Sequence, residues 1–142
     1  MSFNILTSRV TSLTITEIES TKESSKKTKR KENKEHDAQL DFSNEFYMNN
    51  HSDKLFRVKY RIKVNVPERY KIDLDYVFDF QSDESVTNDL PKTMLARATV
   101  PNLTYPYMKV FIENLVMMSG YGNIPLPHVD FTQNPVPLST EE

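Results

Sequence analysis

In three stretches, 37–48, 56–66 and 70–80, apolar side chains return mainly on even positions, the period of a strand with one covered face. Phe56, Val58, Tyr60, Ile62, Val64 and Val66 are even, with Arg57, Lys59, Arg61 and Lys63 between them. After Pro67-Glu68-Arg69 the even positions Tyr70, Ile72, Leu74, Tyr76, Phe78 and Phe80 are apolar again, and Asp73, Asp75 and Asp79 lie between. Two strands joined by so short a loop pair antiparallel. Both apolar rows must face one side, so a slip of one residue is forbidden. With Val66 facing Tyr70, Lys63 lies opposite Asp73, Arg61 opposite Asp75, and Arg57 opposite Asp79. On the other face Ile62 meets Leu74, Tyr60 meets Tyr76, and Val58 meets Phe78. Opposed charges and aromatic pairs contribute about 0.2–1 kcal/mol each. The basic row is therefore neutralised by its neighbour and does not present a nucleic-acid face.

Two further strands precede this hairpin. Asp37 to Met48 carries Ala38, Leu40, Phe42, Phe46 and Met48 on even positions, with an interruption expected near Ser43-Asn44. Val10 to Ile18 is rich in β-branched residues, with Leu13 and Ile15 on one face and a bulge or the strand's end at Ile18. Between them, Thr21 to His36 holds seven Lys/Arg, three Glu and hardly an apolar side chain. Such a stretch cannot offset its ordering entropy by burial, and reads as a disordered basic loop, 21–36. A basic arm for nucleic acid is the sharper alternative; a solvated connection is the plainer one.

The rest of the pattern is helical. Leu90 to Ala98 reads as a short helix with Asn88-Asp89 as caps and Pro91 near its start, ended or bent by Pro101. A second helix is expected from about Pro106 to Met118, with Gly120 and Gly122 at its exit. Met108, Phe111, Ile112, Leu115 and Met118 share one face; Tyr107, Val110 and Met117 lie off it. A helix apolar on more than one side is covered twice. One sheet covers one face, so a subunit interface through Tyr107, Val110, Asn114 and Met117 is expected on the other, making an oligomer. Ile124 to Phe131 is extended and Pro-restricted, and 132–142 reads as a flexible tail, leaving a single domain over residues 1–131.

Composition narrows the function classes. With 18 basic and 20 acidic residues in 142, no global field points to nucleic acid or anionic lipid. The absence of cysteine excludes disulfides and thiol chemistry. No secretory signal or membrane span is visible, so a cytoplasmic protein is expected. His36, His51 and His128 are scattered without metal-ligand spacing, and two glycines cannot build a phosphate-cradling loop. Ser119-Gly120 is no nucleophile elbow, and the Asp73/Asp75/Asp79 row reads as a solvated ion-pair face. No catalytic residue, metal or cofactor is expected.

Three pieces of the C-terminal third keep a common spacing: Pro101-Asn102-Leu103, Tyr105-Pro106-Tyr107 and Gly122 with the Pro-containing Leu126 to Phe131. Together, Ala98 to Phe131 resembles the protein-export chaperone SecB and its relatives, and the preceding strands resemble that family's sheet in order and length. The resemblance implies an α+β, two-layer subunit, a four-stranded antiparallel Greek-key sheet packed against a long helix, assembled as a homotetramer (a dimer of dimers) through the helix layer. It implies ATP-independent binding of non-native polypeptide, with Ala38, Leu40, Phe42, Leu126 and Phe131 lining the client site. Partners implied are unfolded preproteins, with transfer to the translocase motor SecA, or an antitoxin in a toxin–antitoxin system. The chain departs from the family in two respects: Asn134, Pro135 and Pro137 interrupt the usual C-terminal helix, and its net charge is −2 where export members are strongly acidic. A structural or adaptor protein that keeps the fold without client binding is the alternative.

Overall fold

The computed structural model describes residues 2–18, 38–124 and 126–137. Four strands form one antiparallel sheet: β1 (Phe3–Glu17), β2 (Gln39–Met48), β3 (Leu55–Val66) and β4 (Tyr70–Ser82). Their order is β1-β4-β3-β2, a Greek key in which β2, β3 and β4 follow one another and β1 lies beside β4. The β3–β4 register is the expected one, with Val66 opposite Tyr70, Arg61 opposite Asp75 and Ile62 opposite Leu74. In the connecting loop Glu68 takes a positive φ of 66°, the left-handed residue a three-residue hairpin loop requires.

On the outer face the charges run in columns of alternating sign. Arg57 reaches Asp79 at 2.6 Å, Arg61 reaches Asp75 at 3.3 Å, and Lys59 lies 3.8 Å from Asp75. Across the other side of β3, Asp41 is opposite Lys63 and Glu45 opposite Lys59. The inner face is apolar. Every even residue of β3 from Phe56 to Val66 is at most 2% exposed, and an aromatic row crosses all four strands through Phe3, Phe80, Phe56 and Phe46.

Several expectations need correction. β1 begins at Phe3, not Val10, because register shifts between Ile5 and Thr7 and between Val10 and Ser12 hide its alternation. Each shift inserts one residue and turns the following side chains over. The partly buried residues packed on the core are therefore odd (Phe3, Ile5), then even (Val10), then odd again (Ile15). Ile18 lies just past the strand's end, where its N–H donates to the Arg69 carbonyl at 2.9 Å. β2 runs without a break through Ser43 and Asn44, which face Arg61 and Tyr60. The loop expected at 21–36 lies outside the described residues.

The helical part differs most. Leu90–Lys92 is a single 3₁₀ turn without a side-chain cap from Asp89. A wide π-helical turn, Leu95–Thr99, then runs directly into α1 (Val100–Met118). Pro101 does not end a helix; it sits in the first turn of α1, where its missing N–H is no loss. Its ring would crowd the carbonyl of Arg97, four residues back, and the widened turn lies there. That carbonyl accepts the Val136 N–H at 2.9 Å instead. Pro106, expected to open a helix, lies inside α1.

Val100, Thr104, Tyr105, Met108, Ile112 and Val116 form the buried side of α1. Phe111 and Leu115, expected in this row, are half-buried flanks, and Met118 is 84% exposed. They lie one or two positions away from the 104-108-112-116 row, and each position is about 100° round the helix. The packed chain also runs past residue 131. Val136 is 3% exposed, so the expected loose tail from 132 does not hold there; residues 138–142 lie outside the described part.

Asp79 yields a pH prediction. Arg57 donates to it at 2.6 and 3.3 Å and Thr7 at 2.9 Å, and Arg9 lies 3.6 Å away. The Arg57 hydrogen bonds above all hold its carboxyl below the usual carboxylate range, with Thr7 and Arg9 adding to the effect. A depressed folded-state pKa contributes stability above the unfolded pKa and loses it as pH falls through the folded value. Asp79→Asn is expected to lower stability at pH 7 by about 0.5–1 kcal/mol. The deficit should shrink below about pH 4, as read by urea unfolding from pH 7 to 2. A deficit unchanged at pH 2 would contradict this account.

Candidate functional site

Two apolar surfaces stand out, one at β2 and one on α1. At β2 the even side chains Leu40, Phe42, Phe46 and Met48, with Ala38 just before the strand, are partly buried against the core. Tyr105 reaches this flank from α1, its ring 6.2 Å from that of Phe42. Tyr60 backs Phe42 from β3 at 5.1 Å. Burial pushes the Tyr105 hydroxyl up to about 12, so at neutral pH it remains a donor, and it donates to the Pro127 carbonyl at 2.8 Å.

The chain itself covers much of this flank. After α1, Gly120 and Gly122 take φ values of 93° and 81°, which only glycine adopts freely. The backbone turns there into a strap, residues 121–124 and 126–137, and most of the described anchors that hold it are side chains. Arg69 Nη2 donates to the Tyr121 carbonyl at 3.1 Å, and the Tyr121 ring packs 4.6 Å from Tyr70. Asn102 Oδ1 accepts the Phe131 N–H at 2.8 Å, and its Nδ2 donates to Thr132 Oγ1 at 3.0 Å. Arg97 Nε donates to the Val136 carbonyl at 3.0 Å, beside the bond its own carbonyl receives. Ile124, Leu126, Phe131 and Val136 are buried. Phe131 stacks on Phe42 at 5.3 Å and meets the edge of Tyr105 at 5.7 Å.

Of the residues expected to line a client site, Phe42 and Phe131 are therefore brought together. Leu126 and Phe131, at 7% and 5% exposure, are packed core and not walls of an open groove. Ala38, Leu40 and Phe42 keep part of their surface accessible along β2. Sequence reasoning missed Tyr105, Asn102 and Arg97 as parts of this site. Asn102 and Tyr105 stand in the stretch that carries the resemblance, but hydrogen bonds from side chains to distant backbone leave no periodicity to read.

The second surface is the outer side of α1. Leu103, Tyr107, Val110 and Met117 are 39–55% exposed, and with exposed Asn114 they repeat at spacings of four and three, as in a helix-pairing seam. The residues expected at an oligomer interface thus share one open stripe. Its flank is tied to the sheet by Phe111 on Tyr76 and Tyr107 on Phe78.

The outer sheet face carries a cavity of about 500 Å³ beside Leu6, Tyr47 and His51, where Arg57 and Asp79 are bonded to each other. Among the described residues no group of three or more acidic or histidine side chains could hold a metal ion. No helix among them is long and apolar enough to cross a membrane.

The family model described as preprotein translocase subunit SecB matches residues 3–134. No curated protein matches the chain. Among solved structures, the chain is similar to the Mycobacterium tuberculosis SecB-like chaperone Rv1957 in complex with a ChAD peptide from the Rv1956 HigA1 antitoxin. The TM-score is 0.63 at 12% identity, covering 91% of this chain and 86% of that one. It is also similar to a Streptococcus agalactiae protein of unknown function, with a TM-score of 0.54 at 10% identity, covering 91% and 98%. At these identities the likeness is one of fold.

Tyr60 offers a test of packing behind the site. Its hydroxyl is buried facing Thr104 and makes no well-formed hydrogen bond; Thr104 Oγ1 directs its own proton to the Val100 carbonyl. An unsatisfied buried hydroxyl costs about 1–3 kcal/mol. Tyr60→Phe should therefore leave stability unchanged or raise it by about 1 kcal/mol in urea unfolding. A loss of 2 kcal/mol or more, on the order of a deleted buried partner, would show that the hydroxyl is bonded.

Proposed function

The chain belongs to the SecB family, and from that premise we propose that it is an ATP-independent chaperone holding non-native polypeptides. The observation that carries the reading is an apolar flank at β2 that α1 does not cover, with Leu40 and Phe42 partly accessible beside Tyr105. Client apolar surface would exchange water for this flank, gaining roughly 25 cal/mol per Å² before ordering costs. The client class is unfolded preproteins or an antitoxin. The M. tuberculosis relative, solved with an antitoxin peptide, favours the second. SecA is the partner an export role would imply. A cytoplasmic setting belongs to the same reading.

Assembly as a dimer of dimers is part of the proposal, with the open stripe of Tyr107, Val110, Asn114 and Met117 as the helix-layer interface. Exposed apolar area of this kind usually marks an interface. The adaptor reading stays open for one reason: the chain's own strap fills part of the flank where a client would lie.

Two measurements test the reading. The purified protein should suppress aggregation of an unfolded protein without nucleotide, and added salt should change this little, since the contact is apolar. Leu40→Ser should weaken holding several-fold while leaving the particle size unchanged. If the protein holds neither unfolded clients nor an antitoxin encoded beside it, the adaptor reading replaces this one. Met117→Glu, at a position 53% exposed in the subunit, should split the assembly in sedimentation while the subunit stays folded. Wild-type protein sedimenting as a monomer at micromolar concentration would rule out the interface.

A further inference from the structure

The strap is held in two groups of contacts, with Tyr105 touching both through its hydroxyl and its ring. The first anchors Tyr121 to Pro127 through Arg69, the Tyr105 hydroxyl and the buried side chains Ile124 and Leu126. The second anchors Phe131 to Val136 through Asn102, Arg97 and the Phe42 stack. Between them His128 and Asp130 are exposed and Val129 is half-buried. Releasing the second group breaks neither of the first group's hydrogen bonds, from Arg69 and from Tyr105.

What the second group recognises is unusual. Asn102 Oδ1 accepts a backbone N–H, the Arg97 carbonyl accepts another, and Arg97 Nε donates to a backbone carbonyl. Apart from the Asn102–Thr132 contact, the polar anchors address main chain, which every polypeptide carries. Side-chain identity enters through Phe131 on Phe42 and Tyr105, and through buried Val136. Among the described residues no backbone hydrogen bond joins 131–137 to a strand, and Pro135 and Pro137 have no N–H to offer one. The segment sits on the β2 flank as an extended guest.

We propose that residues 131–137 occupy the client surface of this chain, and that a client binds by displacing them. The inference rests on the chaperone reading above. The partner it fits is an extended, non-native segment that places an aromatic or large aliphatic side chain where Phe131 lies. Its main chain takes over the bonds to Asn102 and Arg97. Holding is then a competition between client and self, and the strap keeps the apolar flank covered when no client is present.

The chain has no cysteine, so a single engineered pair tests this cleanly. In Asn102→Cys with Thr132→Cys, positions whose side chains touch at 3.0 Å, oxidation fixes the segment in place and reduction frees it. The probe is fluorescein-labelled, reduced and carboxymethylated α-lactalbumin, read by anisotropy on the full chain. The oxidised form should bind at least tenfold more weakly than the reduced form of the same variant. Phe131→Ala, which removes the self-guest's ring, should bind several-fold more tightly than wild type. Equal affinity of the oxidised and reduced forms, or weaker binding by a folded Phe131→Ala, overturns displacement while leaving client holding intact. Absence of binding by wild type and all variants overturns the chaperone reading and this inference with it.

Discussion

A single helix is too narrow for the sheet it must cover. Four strands spaced about 4.8 Å apart present an inner face roughly 15–20 Å wide, whereas a helix with its side chains is about 10 Å across. The burial follows this mismatch. The inward residues of β3 are sealed, while Phe3, Ile5, Val10 and Ile15 on β1 and Leu40, Phe42 and Phe46 on β2 are only partly covered. On the β2 side the strap makes up much of the shortfall with four buried side chains. On the β1 side Leu13 remains 38% exposed, and the open stripe of α1 adds Tyr107 and Val110. The β2 flank is thus a consequence of this shortage of cover, while the α1 stripe is the helix's own outer side.

How much of this was legible depended on whether a pattern had one period. The β3–β4 hairpin was readable to the residue because both rows kept one parity through a loop too short to permit another register. β1 kept its apolar residues but lost its parity twice, and two bulges look like noise in a sequence. The start of α1 was misread for a different reason. Prolines at 101 and 106 signal helix boundaries when considered locally. Here a widened turn, and an Arg97 carbonyl that accepts the Val136 N–H, make the first harmless. The strap was legible as extended but not as packed, since its anchors are Arg97, Asn102 and Tyr105, polar side chains that could equally have faced water. The open stripe on α1 was legible because its residues fell off the apolar row assigned to the sheet, although Tyr107 also reaches Phe78.

Fold and chemistry are kept by different means in this chain. At 12% identity to the mycobacterial chaperone few side chains are shared, yet the fold is kept, with a TM-score of 0.63, since a fold depends more on where apolar residues fall than on which they are. The site has a similar economy. Asn102 and Arg97 bind main chain, so they set a place for an extended segment without specifying its sequence.

The alternating charge columns of the outer face have a consequence for how fast partners arrive. Asp79 and Asp75 on β4, Arg57 to Lys63 on β3, and Asp41 and Glu45 on β2 place opposite charges on adjacent strands, about 5 Å apart. That spacing is shorter than the roughly 8 Å screening length of physiological salt, so the columns cancel before a partner at a distance can feel them. Among the described residues, the charges of this face give a charged polypeptide little directional pull. Encounters there proceed at the unsteered rate of about 10⁵–10⁶ M⁻¹s⁻¹, and preference among partners must be expressed in how long each one stays.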